Sequence, residues 1–332
     1  MRTFETNGAK MHVVTYHYVR DLPRTRFPRI KGMLVKEFRE QVSCFSEHFK
    51  MARLEEAMAF LRGEFRPTRD LCLLTFDDGL KEHYTEVVPW LADSRIQGLF
   101  GIITSCVEER RVASVHMNHF LMAALPFCQY RGAFLEELHQ EDGATWPVDE
   151  AAAMQSYPLD TREVASFKYL FNFVLEPGLR DRIVRQIFSQ YFQDEKGFAD
   201  ELYMSWSDIR ALQAAGMVIA GHTHEHNALS ALSDSALKRD ISTCRRILNE
   251  RIHAQKLWPF SYPYGKKNSY SSAVISELKE NGFDCAFNTE KGSNLPGANL
   301  FELSRTDCNG ALLALTGRIA GERAGTVQAV AS

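Results

Sequence analysis

Three short strings in the chain combine residue types that hydrolytic chemistry needs. In Thr75-Phe76-Asp77-Asp78-Gly79 an apolar run ends in two adjacent carboxylates and a glycine. Like charges side by side repel, so the pair is costly unless a cation or a donor neutralises it. A metal with one Asp as ligand and the other as base would account for it. A plain Asp-Gly turn with a helix cap is written with the same residues. In Gly221-His222-Thr223-His224-Glu225-His226 another apolar run ends in histidines. In a helical turn His222 and His226 share one face at i, i+4 and can converge on one ion, while His224 points away. A chain with eleven histidines yields such a pair by chance, and the zincin pattern fails because Ala228 stands where its second histidine belongs. In Ser261-Tyr262-Pro263-Tyr264-Gly265 a rigid Pro-aromatic-Gly turn offers Pro263 and Tyr264 as a substrate-facing edge. The Tyr264 N–H is the donor best placed to meet a developing oxyanion, although the string alone is also that of a plain turn.

The elements that must position these strings alternate in type. Short apolar runs occur at 11–19, 71–76, 98–104, 217–221, 258–262, 285–288 and 301–305, and helical patterns lie between most of them. Such alternation predicts parallel strands with helical crossovers, and seven strands covered on both faces suggest a barrel or a curved open sheet. Residues 205–216 read as a helix with a Ser or Asp cap and a terminal Gly216, and 233–252 repeat the pattern. Residues of about 105–200 interrupt the alternation with helical periodicity at 162–175 and, after the Pro177-Gly178 break, at 179–192. This stretch reads as a helical insertion in one βα loop of a single domain spanning 1–332. The tail after about 310 reads as a weak amphipathic helix that frays. The carboxylate pair and the histidines both fall at C-terminal ends of predicted parallel strands, the edge where barrel active sites gather. Asp78, His222 and His226 would then supply one carboxylate and two imidazoles with open positions left for water and substrate, a set that suits zinc and also ferrous iron.

Composition narrows the partners. With 39 basic and 42 acidic residues the net charge is -3, which offers no chain-wide attraction to nucleic acid or anionic membrane. Seven cysteines without a C-x-x-C pair read as reduced core residues of a cytoplasmic protein. No run approaches the roughly 18 apolar residues of a transmembrane helix, and no signal-peptide core opens the chain.

Taken together, the three strings resemble the NodB-type polysaccharide deacetylases, carbohydrate esterase family 4. Thr75–Gly79 matches the family's T-F-D-D-G without a gap, His222–His226 matches its H-T-x-x-H, and SYPYG meets its R-x-P-Y in part. The resemblance covers about 10–105 and 203–305 and skips the insertion. It implies a distorted (β/α)7 barrel, Asp77 as catalytic base, and Asp78, His222 and His226 around Zn2+ or a similar ion. It implies an amide hydrolysis in which Asp77 takes the proton of the attacking water and the Tyr264 N–H helps hold the oxyanion, so that acetate and an amine leave. Two departures stand out. Ser261 replaces an arginine that orients the catalytic Asp in the family, and Arg305 is the candidate substitute, a structural ion pair being the other reading. No histidine follows His253 to serve as the family's C-terminal general acid. His17 is the candidate for that part, against a hydrogen-bonded structural histidine. His83, His116 and His119 fall in predicted helices and read as surface or packing residues.

The resemblance extends to relatives of lipopolysaccharide and O-antigen synthesis, which implies an amino-sugar precursor linked to nucleotide or lipid. The basic run Arg20, Arg24, Arg26, Arg29, Lys31 and Lys36 could meet a diphosphate or form a solvated loop. The insertion could cap the site or mediate an oligomer contact. Other readings of the same residues are a deformylase or O-deacetylase, an inactive sugar-binding module, and a ferrous oxygenase.

Overall fold

The computed structural model describes residues 8–317. Eight strands, β1 (Met11–Tyr16), β2 (Lys50–Met51), β3 (Leu71–Phe76), β4 (Gly98–Ile102), β5 (Val218–Gly221), β6 (Pro259–Ser261), β7 (Cys285–Phe287) and β8 (Thr306–Asp307), form one sheet in the order β7-β6-β5-β4-β3-β1-β8. Every ladder in it is parallel. All six residues of β3 are buried, as the unbroken apolar run LCLLTF requires of a strand covered on both faces. The sheet curls into the distorted (β/α) barrel expected from the alternation.

Two strand expectations change. The two-residue β2 pairs beside the start of β3, Lys50 with Leu71, and is too short to leave any periodic signal. The strand expected at 301–305 forms at Thr306–Asp307, paired with β1. The residues just before it face the other way around the ring: Leu303 exchanges hydrogen bonds with Ala286 and Asn288 next to β7. The closing strand is therefore broken, one half bonded to each edge, and Arg305 sits at the break.

The helix Trp206–Ala214 starts at the Ser205 cap, whose side chain accepts from the Asp208 N–H, and Gly216 ends the turn at φ +84°. The helix Asp234–Arg251 is capped the same way by Ser233. Pro177 and Gly178 prove to be the first turn of the helix Pro177–Tyr191, not a break before it. Proline suits that position because its missing N–H would have had no partner. Between β4 and β5 the predominantly helical stretch is present, with helices from Thr104–Glu108 to Glu195–Leu202, and it builds an apolar cluster that also takes in Tyr18, Ile30 and Leu80. The tail helix spans Cys308–Thr316, and the fraying segment expected beyond it lies outside the described residues.

None of the seven cysteines, all among the described residues, forms a disulfide, and Cys128 is exposed, unlike the core residue expected there. No helix among the described residues is long and apolar enough to cross a membrane.

Candidate metal centre

The C-terminal ends of β3 and β5 bring the two strongest strings together. Asp78 Oδ1 lies 3.2 Å from His222 Nε2 and 3.4 Å from His226 Nε2, and all three side chains are buried. Their candidate ligand atoms lie within 4.8 Å of one another. Among the described residues, Asp78 Oδ1 and His222 Nε2 are nonetheless without a hydrogen-bond partner. Two buried polar atoms that face each other at this range without bonding are expensive unless a third species sits between them. A divalent cation fits that donor set of two imidazoles and a carboxylate. His222 Nδ1 donates to Ser261 O at 2.8 Å, which fixes the tautomer and leaves the Nε2 lone pair for the ion.

The histidines do not converge by a helical turn, as expected, but through an irregular loop. Thr223 and His226 have φ of +66° and +57°, and the Thr223 hydroxyl accepts the His226 N–H at 2.8 Å. Asp240 holds the loop from below, accepting the N–H groups of His224 and Glu225 at 2.9 and 3.0 Å. His224 does turn away, to Thr104 Oγ1 at 3.0 Å. Asp78 and Tyr264 also have positive φ, at +79° and +61°, so four of the six non-glycine residues in that region among those described belong to these site loops. Each such conformation costs roughly 1–3 kcal/mol and persists where surrounding bonds over-determine it. Gly79 continues the β3 turn at +69°, and Gly101 of β4 allows Asp77 and His222 to approach, since a Cβ there would lie 3.2 Å from Asp77 Oδ1.

Asp77 stands beside the centre, 1% exposed. Arg305 Nη1 donates to Asp77 Oδ1 at 2.9 Å and lies 2.8 Å from Oδ2 as an ion pair. The same Nη1 reaches Ser261 Oγ and Thr75 Oγ1, each at 3.2 Å, and Nε donates to Asn288 O at 2.8 Å. Arg305 thus places its charge against Asp77, with the Ser261 hydroxyl as one of its supports. Burial pushes the Asp77 pKa up, but Arg305 first, then His222 and His17, bring it below the usual carboxylate value. Burial likewise opposes ionisation of Asp78, and His116, His222 and His226 outweigh it. Burial lowers His226 to about 4, which leaves its imidazole neutral and able to ligate at neutral pH. In His222 burial is outweighed by Asp77 and Asp78, which raise its affinity for a proton as they would for any cation.

Tyr264 packs its ring 5.3 Å from that of His226, and burial raises its phenol to about 12. Its backbone N–H has no hydrogen-bond partner among the described residues. Pro263 precedes it, buried at the end of β6. His17 follows β1 and lines a cavity of about 360 Å³ together with Tyr18, Arg29, Lys31, His119 and Lys168. Its carbonyl accepts from His83 Nε2 at 2.7 Å.

Most of the basic run is already engaged. Arg20 pairs with Glu82, Arg24 with Asp21, Lys31 with Asp160 and Lys36 with Glu40, while Arg26 lies over the Phe27 ring. Arg29 differs, since it donates to the Ala123 carbonyl at 2.7 Å and makes no ion pair among the described residues.

His116 was read from the sequence as surface or packing, and it is neither. Fully buried in the helix Ser114–Ala124, it places Nε2 3.1 Å from Asp78 Oδ2. The helical stretch between β4 and β5 reaches the site twice more, through Arg180 to Asn227 at 2.6 Å and through Asn172 to the Tyr264 hydroxyl at 3.1 Å. His83 packs buried against Phe76 and Phe100 and His119 packs half-buried against Tyr18, so for these two the packing reading stands and the surface one does not.

Residues 183–286, which carry His222, His226 and Tyr264, match the family described as polysaccharide deacetylase. No curated protein matches the chain. Among solved structures it is similar to IcaB from Ammonifex degensii, at 18% identity and a TM-score of 0.55 over 91% of this chain and 94% of that one. It is similar to the Streptococcus pyogenes deacetylase PplD in complex with acetate, at 12% identity and a TM-score of 0.56 over 90% and 92%. The BpsB deacetylase domain from Bordetella bronchiseptica aligns at 16% identity and a TM-score of 0.54 over 91% and 96%. The chain therefore carries a polysaccharide deacetylase family match across residues 183–286, set in the NodB-like (β/α) barrel that these structures share.

Proposed function

We propose that the protein is a metal-dependent hydrolase that removes an N-acetyl group from an amino sugar. The observation that carries this is the meeting of Asp78, His222 and His226 beside an Asp77 carboxylate held by Arg305. Zn2+ held by the three residues would polarise the amide carbonyl and acidify a water.

The chain's own groups supply the rest. Asp77, kept ionised by Arg305, accepts the proton of the attacking water as its oxygen adds to the carbonyl carbon. The free Tyr264 N–H donates to the resulting oxyanion, and the left-handed backbone there holds that donor in place. When the C–N bond breaks, the amine takes a proton. His17 is proposed as the donor, because it lines a cavity and is close enough to Asp77 to lower its pKa. The cavity volume, about 360 Å³, suits a sugar residue or two. Arg29 on its wall brings a charge with no acidic partner, which favours a substrate bearing an anionic carrier, such as the nucleotide- or lipid-linked precursor of a surface polysaccharide.

The test is a release assay for acetate and formate from N-acetyl, N-formyl and O-acetyl amino sugars, each free, nucleotide-linked and lipid-diphosphate-linked. Acetate is expected from the N-acetyl compounds, fastest with a diphosphate carrier. Formate release alone would make the protein a deformylase, and no release from metal-loaded protein would leave a sugar-binding module.

A further inference from the structure

We propose that His116, supplied by the helical insertion, is a positioning residue that sets the metal affinity of the centre through Asp78. The inference rests on the metal reading of Asp78, His222 and His226 above.

The hydrogen bonds around His116 have one consistent direction. Asp78 can only accept, so a neutral His116 donates from Nε2 and accepts at Nδ1, and the Tyr203 hydroxyl, which takes the Ala113 N–H at 3.1 Å, can donate its own proton. It does so to His116 Nδ1 at 2.5 Å. With Nδ1 accepting, the imidazole carries its proton on Nε2, which donates to Asp78 Oδ2 at 3.1 Å. The chain Ala113, Tyr203, His116, Asp78 is buried throughout.

Asp78 needs this support for two reasons. Its backbone is held at φ +79°, and its Oδ1 points to His222 and His226 without a hydrogen bond of its own. Tying Oδ2 to His116 fixes the plane of the carboxylate and dedicates Oδ1 to the ion. A ligand carboxylate oriented in this way binds with less conformational loss, and removing such a support typically weakens metal affinity about 10- to 100-fold. His116 touches neither the substrate cavity nor Asp77 in any hydrogen bond or ion pair among the described residues, so its effect should appear in metal binding before it appears in turnover.

The experiment is a zinc competition titration against a chromophoric chelator, with the cobalt(II) absorption spectrum as a second readout. It compares the full-length wild type with His116→Leu, His116→Gln and Tyr203→Phe. His116→Leu is expected to weaken zinc about 10- to 100-fold and to shift the cobalt bands. His116→Gln, whose amide N–H can take the place of Nε2, should return to within a few-fold of wild type, and Tyr203→Phe should fall between. Wild-type affinity in His116→Leu overturns the inference and leaves the metal site standing. Equal weakening in the Gln and Leu variants also overturns it, because the donated N–H would then not matter. Failure of the wild type to bind either ion defeats the metal reading itself.

Discussion

Asp77→Asn is expected to keep its zinc and lose turnover by about 10²- to 10⁴-fold, the usual span for removing a general base. Asparagine has the same shape and still offers Arg305 an acceptor oxygen, but its amide cannot take a proton from water. Because Asp77 is not among the three proposed ligands, metal content per chain should match the wild type. The loss should fall on kcat, with KM little changed, since the group acts only as charge develops in the transition state. Some stability will go too, as Arg305 loses its counter-charge, so kinetics should be compared on samples of equal metal content. Wild-type turnover in this variant would remove Asp77 from the chemistry.

Arg305→Met is the second large effect, this time on both stability and pH profile. The guanidinium is buried, hydrogen-bonds to Asp77 Oδ1, Ser261, Thr75 and the Asn288 carbonyl, and pairs by charge with Asp77 Oδ2. Removing one member of a buried pair strands the other, at a cost of about 3–5 kcal/mol. Urea unfolding at neutral pH should show it. The sign follows from Asp77, whose pKa in the folded wild type lies below its ordinary value. That depression stabilises the fold above the unfolded pKa and is lost as pH falls through the folded one. In the variant, burial acts with less opposition and the folded pKa rises. The stability deficit should therefore be largest at neutral pH and shrink in acid, while the acid limb of kcat/KM moves to higher pH. Arg305→Lys should recover only part of either effect, because one ammonium cannot replace the guanidinium's separate bonds through Nε and Nη1. A variant as stable as wild type, with an unmoved acid limb, would make Arg305 irrelevant to Asp77.

What the sequence displayed well was local. The apolar runs before Asp77 and His222 announced their strands, and the Ser205 and Ser233 caps announced their helices, because each signal lies within a few residues of its effect. The pairing of Arg305 with Asp77 spans 228 positions, and only the gap left by Ser261 hinted at it. His116 left no such hint, since a histidine on a helix with apolar neighbours looks the same whether it packs or supports a ligand. The signal that could have found it is its place in the helical stretch between β4 and β5, together with the need of Asp78 for a second partner. The shape of the histidine loop was also hidden. Spacing at i, i+4 suggests a helical turn, yet the same convergence is reached with Thr223 and His226 in left-handed backbone, a state held by bonds from distant Asp240 and Thr104. The broken closing strand was displaced for a similar reason, its two halves answering to different edges of the ring.

The most direct measurement of the central claim is an anomalous difference map collected at the zinc edge from zinc-loaded crystals. One strong peak is expected at about 2.0–2.2 Å from a carboxylate oxygen of Asp78 and from one ring nitrogen each of His222 and His226. Well-ordered zinc bound elsewhere, with those three side chains lacking a shared peak, would contradict it.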